Sequence, residues 1–249
     1  VDTTGEPLGA RYSLRYAPSL ATLAELAPAS DGAPVRGRGA ALLVGNPAMP
    51  RVRRYTGDEI TLSALPGAEA EAQWVAGQTG ATLLSAGAAT EAEVKRRLPS
   101  ANLIHLATHG YAYSSEARAR DSFIALAPTS DEDGLLTVGE VLDELPLLSA
   151  ELVVLSACQT GLGDLKQAEG TVGLQRAFLA KGARSVLVSL WSVSDEATEQ
   201  LMRNFYTHWL GGASKAEALR RAQAEVRGEP GSRFHHPRYW AAFQLVGAS

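Results

Sequence analysis

One cysteine and one histidine stand in this chain where a nucleophile and a base would be wanted. Cys158 is the sole cysteine of 249 residues, and His109, one of five histidines, precedes it by 49 positions. Each closes a short apolar run and is followed by a glycine-containing turn, NLIHLATHG in one case and ELVVLSACQTG in the other. Ligands of open α/β sheets bind outside the carboxyl ends of the strands. If these two strands are neighbours, thiol and imidazole face one crevice. A thiol of ordinary pKa about 8.5 gains thiolate character from a nearby imidazole and from loop amides. The backbone N–H groups of Gly110 and Cys158 are the natural donors for an oxyanion. Glycine at 110 lets the backbone approach a substrate closely. A lone buried cysteine is more often a small hydrophobe; the polar turn CQTGLGDL after Cys158 argues for chemistry. His105 has the same strand parity as His109 and suits the core or a supporting position, while His208, His235 and His236 fall in later helix or loop.

The elements that must position the pair follow from the rhythm of the chain. Short apolar runs predict strands over 41–47, 81–87, 102–110, 121–128, 151–161, 183–191 and 239–247. Helices are expected after Pro66, from Thr90 (with Glu93 as capping partner) to near Pro99, and over about 170–181, 195–210 and 214–227. A turn and short helix are expected over 135–145, and a long connection over 51–67. Continuous apolar strands alternating with helices mark an α/β fold with a mostly parallel sheet covered on both faces. Residues 1–39 read as a partly irregular lead: a strand over Arg11–Tyr16, a short helix capped by Ser19, and an exposed loop with Arg36 and Arg38. Residues 40–249 read as one domain of about 210 residues.

Composition removes several function classes. With one cysteine there is no intramolecular disulfide framework and no cysteine-based zinc site. No apolar run approaches membrane-spanning length. The net charge of -4 offers no bulk attraction to nucleic acid or to an anionic membrane. GLGDLK lacks phosphate-loop spacing, and HLATH lacks the glutamate of H-E-x-x-H. No cofactor and no metal are expected. Alanine is 42 of the residues, so the core should be small and aliphatic. The chain starts at Val1 without a secretory signal; an excised piece of a longer, cytoplasmic protein is expected.

The order His then Cys, and their spacing, resemble caspases, in which the histidine lies about 50 residues upstream of a Q-A-C-[RQG]-G motif. Here the motif reads S-A-C-Q-T-G, a departure that implies a cousin. The chain more closely resembles the CHAT domain, the caspase-like, tetratricopeptide-repeat-associated relative of separase. The matching stretches run from about Leu65 to Gly247: LPGAEAEAQWVA, GATLLSAGAATEAEVK, NLIHLATHG, DGLLTVGEVLD, ELVVLSACQTG, EGTVGLQRAFLAKGARSVLVSLWSVSDEAT and HPRYWAAFQLVG.

That resemblance implies a caspase-like three-layer sandwich and a cysteine endopeptidase with His109 and Cys158 as its dyad. It also implies a bacterial, cytoplasmic setting and an upstream tetratricopeptide-repeat or other sensory module. The expected partner is a protein or peptide substrate, with neither nucleic acid nor membrane. In separase-like enzymes an acid holds a basic P1 side chain, and Asp195 matches that position. Its competing role is to cap helix 195–210. Metacaspase-like enzymes carry an aspartate two residues before the cysteine, where this chain has Ser156. Asp121 lies near the same face. Asp131-Glu132-Asp133 reads as a solvated loop, although acidic loops in this clan can bind calcium or latch an activation segment. DLKQAEG (164–170) is expected at the pocket entrance, with Lys166 as a conceivable cut site. The rival readings are a catalytically silent scaffold on the same fold and another Cys–His acyl-transfer enzyme.

Overall fold

The computed structural model describes residues 6–19, 40–53, 57–113, 115–156, 158–159 and 171–248, with 158–159 and 171–172 as backbone only. The expectations for residues 20–39 and for 160–170, including DLKQAEG and Lys166, lie outside the described residues.

Six strands among the described residues form one sheet, in the order β12-β11-β9-β5-β1-β4. They are β1 (Ala41–Pro47), β4 (Leu83–Ala86), β5 (Leu103–Ala107), β9 (Leu152–Leu155), β11 (Ser185–Ser189) and β12 (Phe243–Gly247). All neighbours pair in parallel except β12, which runs antiparallel to β11. A strand covered on both sides must be apolar at every position, and the alternate residues divide cleanly. Leu42, Val44, Ile104, Leu106, Val153, Leu155, Val186 and Val188 enter one core cluster. Leu43, Leu103, Leu152, Val154 and Leu187 enter the other.

The first cluster is roofed by α3 (Glu91–Arg97), α4 (Val138–Asp143) and α5 (Thr171–Ala180). The second is roofed by α2 (Pro66–Thr79), α6 (Asp195–Leu210) and α7 (Lys215–Arg227). The result is the mixed α/β, three-layer arrangement with a mostly parallel sheet that the sequence predicts. Helix starts follow the sequence signals: Thr90 Oγ1 accepts from the Glu93 amide at 3.2 Å, and Thr137 and Glu140 form a reciprocal capping box. Among the described residues no helix is long and apolar enough to cross a membrane.

Five stretches differ from expectation. Residues 51–67 are more than a connection: β2 (Arg51–Arg53) and β3 (Glu59–Thr61) make an antiparallel hairpin. Arg11–Tyr16 is not a strand. A single turn, α1 (Leu8–Arg11), precedes it, and Tyr16 alone bridges to Val246. The runs 102–110 and 151–161 are each two strands. β6 (His109–Tyr111) and β10 (Cys158–Gln159) leave the main sheet for a second one, ordered β10-β6-β7-β8, with β7 (Phe123–Ala125) and β8 (Leu135–Thr137). Before the last strand, the short helix α8 (Pro237–Trp240) replaces part of the expected 239–247 strand.

Candidate active site

The switch between sheets sets the site. At the break between β5 and β6, buried Thr108 Oγ1 donates to the Ala125 carbonyl on β7 at 2.8 Å, tying the crossing to the smaller sheet. Beyond it β6 pairs in parallel with β10, and the register partners are His109 with Cys158 and Gly110 with Gln159. Adjacent strands lie about 4.8 Å apart, so the backbones of the two sequence candidates are nearest neighbours across a strand pair. Gly110 also pairs with Ile124 of β7 on its other side.

His109 is 4% exposed. Its Nε2 lies 2.7 Å from the Ser63 carbonyl oxygen. A carbonyl only accepts, so Nε2 must carry the proton, and neutral His109 keeps its lone pair on Nδ1. Nδ1 is buried and has no hydrogen-bond partner among the described residues. Burial lowers the His109 pKa from its ordinary value of 6.5, while the Ser63 bond and the negative charge of Asp195 act in the opposite direction.

Ser63 is held in place by its neighbours. Leu62 is buried in a small cluster with Tyr111 and Phe123 of the second sheet, and Ile60 of β3 packs beside them. On the other side, the Leu65 amide donates to Asn46 Oδ1 at 2.7 Å, and Asn46 Nδ2 donates to Glu69 at 3.1 Å. Asn46 sits at a bulge closing β1 with φ 47°, a left-handed conformation that asparagine adopts more readily than most residues. It thereby supplies the start of α2 with the side-chain acceptor that its N-cap, Leu65, lacks.

Asp195 is exposed, at the first position of α6, and is not the cap. Ser194 takes that place: it has extended backbone angles, and its side chain accepts from the Ala197 amide. Asp195 instead places a carboxylate in the first turn, where the helix dipole favours it. It also packs on α2: a Cβ added to Gly67 would meet the Asp195 Cβ at 2.6 Å. Ser156, just past β9, is buried, and its hydroxyl has no partner among the described residues.

The remaining histidines serve elsewhere. His208 contacts Glu225 at 2.7 Å, His235 approaches the Arg227 carbonyl, and His236 caps α8. His105 is fully buried beneath the site. Asp121 pairs with Arg118 at 3.1 Å. Asp131 and Asp133 are exposed, whereas Glu132 joins Glu91 and Glu140 in a group of carboxylates close enough to share a cation. Lys95 supplies one: its ammonium lies 2.7 Å from both Glu91 and Glu140. The Ser63 carbonyl and Asn46 were the residues that sequence reasoning missed.

A parallel sheet clad on both faces, with a second sheet seated at the carboxyl ends of its central strands, makes this a caspase-like α/β protein. The CHAT domain model matches residues 1–248, and the chain belongs to that family. It is 32% identical over 239 residues to the mouse Tetratricopeptide repeat protein 28, and 32% identical over 240 residues to its human counterpart. Each match covers 84% of this chain, which spans only 9% of either relative. Among solved structures it resembles the Saccharomyces cerevisiae separase–securin complex, with a TM-score of 0.55, 16% identity, and coverage of 96% of this chain and 14% of that one. It also resembles the Arg-specific cysteine proteinase gingipain R, with a TM-score of 0.50, 10% identity, and coverage of 85% and 46%. At these identities the two structures speak for the fold.

Proposed function

We propose that this chain is a cysteine endopeptidase domain in which Cys158 is the nucleophile and His109 the general base and acid. The observation that carries the reading is the register pairing of His109 with Cys158 on adjacent strands. The Cys158 thiol gives its proton to His109 Nδ1, and the sulfur attacks the carbonyl carbon of the scissile peptide. The amides of Gly110 and Cys158 stabilise the oxyanion. His109 then passes the proton to the departing amine. Next it takes one from water, whose oxygen attacks the thioester and releases the acid, returning the proton to Cys158. The Ser63 carbonyl holds Nε2, leaving Nδ1 to take up and release the proton, and supports the imidazolium when it forms.

Asp195 is proposed to attract a basic P1 side chain, since its charge is already felt at His109, and buried Ser156 to border that pocket. We read residues 40–249 as the catalytic domain and 1–39 as a lead. The family and its repeat-protein relatives support control by a tetratricopeptide-repeat or other sensory module elsewhere in a longer protein. A cytoplasmic, bacterial setting is part of the same reading. The decisive experiment is cleavage of a peptide library by the wild type and by Cys158→Ala. Cut products from the wild type alone are expected. Equal turnover by both would remove Cys158 as nucleophile; products that are ligated instead of cut would favour another acyl transfer.

A further inference from the structure

Beneath the candidate site, three polar side chains meet in the core between the sheet and its second helical layer. His105 on β5 is 0% exposed, Tyr206 on α6 is 0% and Glu71 on α2 is 2%. His105 Nδ1 lies 3.0 Å from the Tyr206 hydroxyl, and His105 Nε2 lies 3.0 Å from Glu71 Oε1. A carboxylate only accepts, so Nε2 carries the ring proton and Nδ1 accepts from the Tyr206 O–H. The phenol donates to the imidazole, and Nε2 of the imidazole stands beside the carboxylate. The second contact is poorly aligned: neither Glu71 Oε1 nor His105 Nε2 has a full hydrogen bond among the described residues. Burying a carboxylate with incomplete compensation is costly, and apolar residues of like volume are often no less stable in such places. Stability alone does not account for the triad.

Its anchor points do. α2 begins just after Ser63, whose carbonyl holds His109. β5 ends two residues before His109. α6 begins with Asp195, which packs on Gly67 of α2. Each leg of the triad therefore sits on an element that delivers one part of the site, and the rise of an extended chain puts His105 roughly 13 Å below His109. We propose that Glu71, His105 and Tyr206 are positioning residues, a buried junction that fixes the relation of the Ser63 carbonyl, His109 and Asp195. This rests on the peptidase reading for its kinetic consequence, but not for its geometry.

The test compares the wild-type chain with Tyr206→Phe and Glu71→Gln, the first losing only a hydroxyl. Val94→Ala, in the opposite core cluster, controls for lost stability. Nitrogen NMR of the histidine rings reads the His109 tautomer without any substrate, and peptide turnover gives kcat and KM. The junction variants should lose the uniform Nε2–H form of His109, and kcat should drop about 10- to 100-fold with KM little changed. The control should keep both. If both junction variants fold and retain the His109 tautomer and a kcat within about twofold of wild type, the proposal is overturned. Should the wild type cut no peptide, the peptidase reading fails, and the NMR arm alone decides the positioning role.

Discussion

The Ser63 carbonyl oxygen and His109 Nε2 lie 2.7 Å apart across 46 positions of sequence. This contact selects which nitrogen of His109 is left without a backbone partner, so the ring is oriented by the main chain of a distant segment. Replacing His109 with glutamine keeps a polar side chain but removes the proposed base. The expected loss in kcat/KM is about 10²- to 10⁴-fold, read by cleavage of a fluorogenic peptide. Activity within threefold of wild type would argue against the base.

Asp195→Asn should move the His109 pKa further down, because the aspartate charge is one of the influences holding it up. NMR titration of His109 reads this directly, and the acid limb of the peptide-cleavage profile should shift to lower pH. The same variant should lose preference for arginine and lysine at P1. An unchanged profile with unchanged preference would remove Asp195 from the pocket.

Burial of His109 also has a signature in stability. Its folded pKa lies below the ordinary 6.5, so the folded state binds fewer protons than the unfolded chain. The stability it contributes is fully present above pH 6.5 and is lost as pH falls through the folded pKa. His109→Gln should flatten the wild-type denaturation curve on that acid side; an unaltered slope would contradict the burial argument.

Gly67 is a packing constraint between α2 and α6. A methyl group there meets the Asp195 Cβ at 2.6 Å, and one of the two helices must shift. Gly67→Ala should cost about 1–3 kcal/mol in chemical denaturation. If Asp195 binds substrate, it should also raise KM for basic peptides. Wild-type values in both assays would show that the helices accommodate the methyl freely.

The Lys95 cluster predicts a different pH window. Burial, the largest influence, raises Glu91 to about 7, with Glu140 adding to it and Lys95 opposing it. Because the folded pKa exceeds the ordinary 4.5, the contribution of Glu91 is greatest below pH 4.5 and is lost as pH rises through about 7. Glu140, held below its ordinary range, acts at lower pH. Lys95→Met removes the opposing charge, so the loss should deepen between pH 5 and 8 and extend to higher pH. Urea denaturation at several pH values measures this, and a deficit independent of pH would count against it.

Much of the fold was legible because the main sheet is buried on both faces. β9 is an uninterrupted apolar run, β1 and β11 have apolar centres, β5 is apolar apart from His105, and α6 announces itself by its amphipathic spacing. The switch at Thr108 was not legible, since residues 103–110 are buried throughout and nothing local marks a change of partner. The β2–β3 hairpin was missed because three-residue strands carry too little alternation to stand out from a loop. In the candidate site, His109 and Cys158 were singled out by their placement after apolar strands, and their backbones pair in register. The Ser63 contact was invisible, because every residue has a carbonyl and only tertiary packing says which one is aimed. Asp195 was weighed as a cap, yet Ser194 one position earlier fills that place, a shift within the usual uncertainty of helix ends.

The bridge at Tyr16 bears on how the protein behaves in concentrated solution. Its amide donates to the Leu245 carbonyl and its carbonyl accepts from the Gly247 amide, both at 2.9 Å. An open sheet margin invites strands from other molecules. Here the chain stoppers the antiparallel margin of its own sheet with a single residue. Without that stopper, β12 would present its free backbone groups to a neighbour, and self-association would become a hazard while the α/β core stayed folded.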